Sequence, residues 1–165
     1  MDPSINIKTV LIPVDFSDTS RRAFYTGLKF ARLFDAETVV LHVKEPLTAV
    51  DSSFDKVEKH TEELERMETG VRRRVNELFE AGGFAEVDRR KVRTEVRAGK
   101  PHLQIVKYAL EHNIDMIVMG THGYAGMKAI LVGSVTERVV RYAPCPVLCV
   151  KPEGYQSPLE GEGFK

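Results

Sequence analysis

The sequence has no apolar run that approaches a bilayer span, no excess of either charge and only two cysteines. Each shortage removes a class of function. Without roughly 20 consecutive apolar residues no helix crosses a membrane, and the opening MDPSINIKTV lacks the apolar core of a secretory signal. Lys and Arg total 24, as do Asp and Glu, so the formal net charge is zero. That balance argues against a general electrostatic role on nucleic acid or an anionic membrane, although a local patch would escape it. A cytoplasmic protein is expected. Cys145 and Cys149 lie in PCPVLCV, which reads as a strand. Four residues along a strand cover roughly 13 Å, whereas a disulfide needs Cα atoms within roughly 7 Å. Free thiols are expected, and without nearby histidines they make a poor metal site.

What is present is an alternation of strand and helix. Thr9 to Val14 is a short apolar run, and Ser17 or Asp18 then offers a helix N-cap. Phe24, Gly27, Leu28, Ala31 and Phe34 recur at helical spacing, and Thr38 to Val43 is a second strand. After an irregular stretch from Lys44 to Phe54, Leu64, Met67, Val71, Val75 and Leu78 trace one face of a long charged helix ended by Gly82-Gly83. Val92, Thr94 and Val96 alternate with charges as a half-exposed strand would. Gly99-Lys100-Pro101 opens a helix whose expected buried face is Ile105, Val106, Ala109 and Leu110. Ile114 to Met119 is a fourth strand, Val135 to Tyr142 a last helix and Pro146 to Val150 a fifth strand. The pattern predicts an α/β fold: a single-domain, open, five-stranded parallel sheet with helices on both faces. The domain is expected over 1–152. The tail 153–165, rich in Gly and Pro, is expected to be mobile or to dock on a partner.

Four of the twelve glycines, Gly120, Gly123, Gly126 and Gly133, fall between the fourth strand and the last helix. In open parallel sheets ligands lie beyond the carboxyl ends of the strands, where strand order reverses. Glycines expose backbone N–H groups there, and the helix opened by Gly133-Ser134 would present its positive end to an anion. The same residues carry a second reading. Ser134 and Glu137 have the spacing of a capping box, which would satisfy the helix end without a ligand. Other nucleotide motifs are excluded. PVDFSDTS has no glycine for a dinucleotide fingerprint, and the one Gly-Lys pair, Gly99-Lys100, precedes Pro101 rather than Ser or Thr. A phosphoacceptor receiver would want an aspartate ending the third strand, where Val96-Arg97 stands.

The loop resembles the signature of the nucleotide-binding universal stress proteins: Gly-x-x-Gly, nine residues, then Gly and Ser or Thr. Here it is Gly120-Thr-His-Gly123, Tyr124 through Val132, and Gly133-Ser134, flanked by VLIPVDFSDTS, VVLHV and APCPVLCVKP. The resemblance covers roughly 7–152. It implies a Rossmann-like adenine-nucleotide fold with sheet order 3-2-1-4-5, a homodimer through strand five (Pro146 to Val150), and ATP with Mg2+ or Mn2+ as cofactors. It implies further that Pro13 and Val14 line the adenosine pocket, that Asp15 meets ribose or metal, and that Val43 contacts adenine through its backbone. Met119, Gly120, Thr121, His122, Gly123, Tyr124, Ala125 and Gly126 would wrap ribose and phosphates. Gly133, Ser134, Val135 and Thr136 would supply donors to the phosphates. Gly126 is outside the signature, and nothing transfers to 44–60.

The chemistry implied is binding and regulation, through an ATP-dependent dimer or through protein partners the sequence does not identify. No catalytic residue is assigned. The alternative is a slow Mg-dependent ATPase or nucleotidyl-transfer enzyme using Asp15 and His122, the latter able to orient a water. His122 reads equally as a loop histidine bonded to backbone, and His42, on a strand, as a core polar residue with a backbone partner. His60, His102 and His112 carry no assigned role. Arg72-Arg73-Arg74 and Arg89-Arg90-Lys91 read as a solvated face among many acids rather than a docking patch.

Overall fold

In the computed structural model, β1 (Thr9–Pro13), β2 (Glu37–Lys44), β3 (Val92–Ala98), β4 (Met116–Gly120) and β5 (Val147–Val150) form one parallel sheet in the order β3-β2-β1-β4-β5. Between them run α1 (Asp18–Phe34), α2 (Phe54–Gly82), α3 (Pro101–Glu111) and α4 (Ser134–Tyr142). The expected fold class and strand order are both met. The structure describes residues 6–45, 54–84, 89–121 and 133–155, with backbone alone over 54–64. His122, Gly123, Tyr124, Ala125 and Gly126, residues 46–53 of the 44–60 segment, and the tail from 156 lie outside the described residues.

Register follows the period of two. β1 pairs with β2 from Thr9↔Glu37 to Pro13↔Leu41 and with β4 through Val10↔Met116 and Leu11↔Ile117. Val10, Ile12, Val40 and Val118 turn to the face covered by α1 and α2, where Phe24 and Phe79 fill the core. Leu11, Val39, Leu41 and Ile117 turn to the other face, against Ile105 and Tyr108 of α3 and Val139 of α4. Burying both faces explains why these strands read as continuous apolar runs. α1 lies directly on the sheet because a Cβ on Gly27 would overlap the Ile12 side chain.

One local expectation is corrected. Leu110 is 60% exposed, and Tyr108 is buried in its place. The inner stripe of α3 runs through Ile105, Tyr108 and Ala109, which turns Leu110 outward. The Tyr108 ring stacks on His112 at 4.0 Å and lies under the Arg97 guanidinium at 4.6 Å. α2 begins at Phe54, where the irregular stretch was expected to end. Its first turns are rich in Glu and Lys, good helix formers. Arg72 and Arg73 pair with Glu68 and Glu77 one turn away, as a solvated face would. Cys145 and Cys149 are free, and burial pushes both thiols above their ordinary pKa.

Candidate functional site

Strand order reverses between β1 and β4, so a crevice opens at their carboxyl ends. On the β1 side, Val14 N–H donates to the Leu41 carbonyl at 2.9 Å and extends the strand by one residue. The chain then turns sharply. Phe16 has φ 65°, a left-handed conformation that a bulky side chain rarely adopts. Its ring is held in the core of the α1 and α2 face, 5.4 Å from the His42 ring and 4.1 Å beneath the Arg74 guanidinium. His42 Nδ1 donates to the Val14 carbonyl at 2.8 Å, the backbone partner expected of it.

Asp15 closes this turn. Its Oδ1 accepts from Ser17 N–H at 2.9 Å and from Ser17 Oγ at 2.6 Å, and Ser17 Oγ accepts in turn from Ser20 N–H at 3.2 Å. The start of α1 is therefore capped by its own residues. Both bonds fall on Oδ1, and Asp15 Oδ2 takes no hydrogen bond among the described residues.

The β4 side is organised around the loop ends. Thr121, 1% exposed, donates its N–H to Val150 O at 3.0 Å and accepts at its carbonyl from Gly133 N–H at 2.7 Å. Thr136 Oγ1 donates to Gly120 O at 2.8 Å. Thr121 and Gly133, the described residues on either side of 122–132, are thus one hydrogen bond apart at the end of β4.

The helix that follows differs from α1 and corrects the expected capping box. Gly133, not Ser134, is the N-cap of α4, and no side chain among the described residues caps it. The bond from Gly133 N–H to Thr121 fixes where the helix starts, and Gly133 O accepts the first helical bond from Glu137 N–H at 3.0 Å. Ser134 is pushed one place into the helix, where it is exposed. Glu137 turns away to Arg141 at 3.4 Å. The N–H groups of Ser134, Val135 and Thr136 therefore precede the first helical bond, at the positive end of the helix, without a side-chain cap among the described residues.

The remaining candidates fall at the same end of the sheet. Val43 lies two residues beyond Leu41, the register partner of Pro13, and is half-buried. Met119 buries its side chain in the α3 and α4 core, which leaves its backbone at the crevice. Among the described residues, no group of three or more His, Cys, Asp or Glu is arranged to hold a metal ion.

A match to the universal stress protein family spans residues 6–151. The chain belongs to that family. A universal stress protein of Methanocaldococcus jannaschii is 36% identical over 148 residues, covering 87% of this chain and 82% of its own. Among solved structures, universal stress protein UspA from Lactobacillus plantarum superposes with a TM-score of 0.72 at 27% identity, over 89% of this chain and 99% of its own. A universal stress protein in complex with cAMP shares the fold at 23% identity, with a TM-score of 0.61, over 88% of this chain and 97% of its own.

In this universal stress protein the carboxyl end of the sheet also gathers charge, at the starts of α3 and α4, that the sequence did not reveal. His102, in the first turn of α3, has its pKa lowered by burial, then by Arg138 of α4 and Lys100 at the N-cap of α3, with Glu45 opposing. Two helices far apart in sequence thus bring cations to the end of the sheet where α4 starts. Arg138 lies one turn below Ser134, and helical side chains lean towards the N-terminus. That spacing was the one signal available in the sequence.

Proposed function

We propose that this universal stress protein binds ATP across the carboxyl ends of β1 and β4 and acts as a nucleotide-dependent regulator in the cytoplasm. The observation that carries this reading is the uncapped start of α4 beside the Gly-x2-Gly-x9-Gly-Ser loop. α1 satisfies its own N-terminus; α4 leaves three N–H groups for an acceptor, and phosphate is the acceptor such an end favours. In this reading Ser134, Val135 and Thr136 hold the phosphates, and the loop from Met119 through Gly126 wraps them and the ribose. Pro13, Val14 and the Val43 backbone line the adenosine pocket. Mg2+ or Mn2+ would sit at Asp15 Oδ2. One carboxylate oxygen without a partner among the described residues fits an ion that keeps several waters and takes its other ligands from phosphate. The cAMP complex of a protein with this fold is in keeping with an adenine nucleotide, although that likeness carries the fold alone.

Regulation would run through a homodimer paired along β5, a sheet edge of four half-buried residues. The test is a calorimetric titration of nucleotide-stripped protein with ATP, with and without Mg2+, alongside thermal melts and sedimentation. One ATP per chain is expected, with about 2.7 kcal/mol of added stability at a hundredfold excess over Kd. No heat and no melting shift at millimolar ATP would end the nucleotide reading.

The cationic group adds a pH dependence. The positive charges that lower the His102 pKa are opposed by a bound polyphosphate, so binding raises that pKa and takes up a proton. Affinity should then climb as pH falls and His102 takes up its proton. The His102→Asn variant should show a flatter profile, and comparing the two cancels the nucleotide's own titration. Superimposable profiles would remove His102 from the site.

A further inference from the structure

At the opposite end of the sheet a second cavity, of about 210 Å3, lies under the last turns of α1 and the amino ends of β2 and β3. Leu28, Ala31 and Ala36 give it apolar walls. Thr38, also in the wall, is 1% exposed. Its N–H donates to the Lys91 carbonyl at 2.9 Å, but its hydroxyl has no hydrogen-bond partner among the described residues. Buried hydroxyls are rarely left so.

The rim carries Arg32, Asp35 and Lys91. Lys91 Nζ is bonded to the Asp35 carboxylate and, at 3.3 Å, to the Asp35 carbonyl, so those two charges offset each other. Arg32 has no ion-pair partner among the described residues. The cavity therefore combines an apolar wall with a guanidinium and a hydroxyl that have no side-chain partner among the described residues.

We propose that this cavity is a binding site for a small aliphatic carboxylate carrying a hydroxyl or keto oxygen on its chain. The guanidinium fork matches a carboxylate in two parallel hydrogen bonds. A short alkyl chain fits against Leu28, Ala31 and Ala36, and the chain oxygen satisfies Thr38. The site is independent of the nucleotide crevice, since it lies beyond the other ends of the strands.

The experiment follows the amide resonances of Ala36, Thr38 and Lys91 by NMR while the ATP-free protein is titrated with 3-hydroxybutyrate or with butyrate. Saturable shifts are expected with both acids, at lower concentration with 3-hydroxybutyrate. Arg32→Met keeps the apolar stem and should weaken both at least about tenfold, the loss typical of a hydrogen bond to a charged group. Thr38→Val should leave the fold intact and bring the two acids to equal affinity. Absence of saturation with either acid, as for a cavity holding only water, overturns the proposal. So do shifts that Arg32→Met leaves unchanged.

Discussion

Ser134→Asp is expected to abolish ATP binding while leaving the unliganded protein as stable as before, or slightly more so. Ser134 is exposed in the first turn of α4, and the cap is Gly133. A carboxylate at that position favours the helix, by about 0.3–1 kcal/mol at an exposed helix start. The same charge would face the phosphates and block the N–H groups that hold them. Losing one hydrogen bond to a charged acceptor costs about 1.5–3 kcal/mol, and like-charge repulsion adds to it, so affinity should fall at least about a hundredfold. Stability and binding move in opposite directions, which a general structural lesion would not produce. Ser134→Ala should cost little stability and weaken binding only modestly. ATP bound to Ser134→Asp with parental affinity would mean that the phosphates do not sit on α4.

The contrast between the two helix starts also marks how far the sequence could be read. The alternation of strands and helices was legible because burying both faces of the sheet writes continuous apolar runs, and the glycine spacing carried the family. The start of α4 was not legible. Ser134 and Glu137 have the spacing of a capping box, yet that spacing decides nothing until the loop is tied down. The bond from Gly133 N–H to Thr121 O, between residues twelve apart, moves the cap one place earlier and leaves the N–H groups open. Tyr108 escaped for a similar reason. Local spacing admitted Leu110 to the inner face, and only the seat of α3 on β2 and its contact with α4 chose Tyr108 instead. Lys100, His102 and Arg138 are brought together by the packing of α3 on α4, and the local sequence offered only the one-turn spacing of Arg138 from Ser134.

Gly120→Ala should be the most disruptive single methyl group at the crevice. A Cβ there would stand 2.8 Å from Thr19 Cγ2 and 3.2 Å from the Thr19 backbone carbon and oxygen. The side-chain atom can turn aside; the backbone at the start of α1 cannot move without lifting the helix from β4. Overpacking of this kind costs about 1–3 kcal/mol, a fall of several degrees in Tm for a chain of this size. Thr19→Ser removes Cγ2 and relieves only the nearest contact, so the double variant should recover part of the loss. A double-mutant cycle on melting would read that coupling directly. Because Gly120 links β4 to Thr19 on one side and to the Thr136 hydroxyl on the other, displacement should reach α4 as well. ATP affinity should therefore fall in Gly120→Ala and partly return in the double variant. If stability falls while affinity is unchanged, the α1 start and the phosphate donors of α4 are mechanically separate, and the crevice is held together by the loop alone.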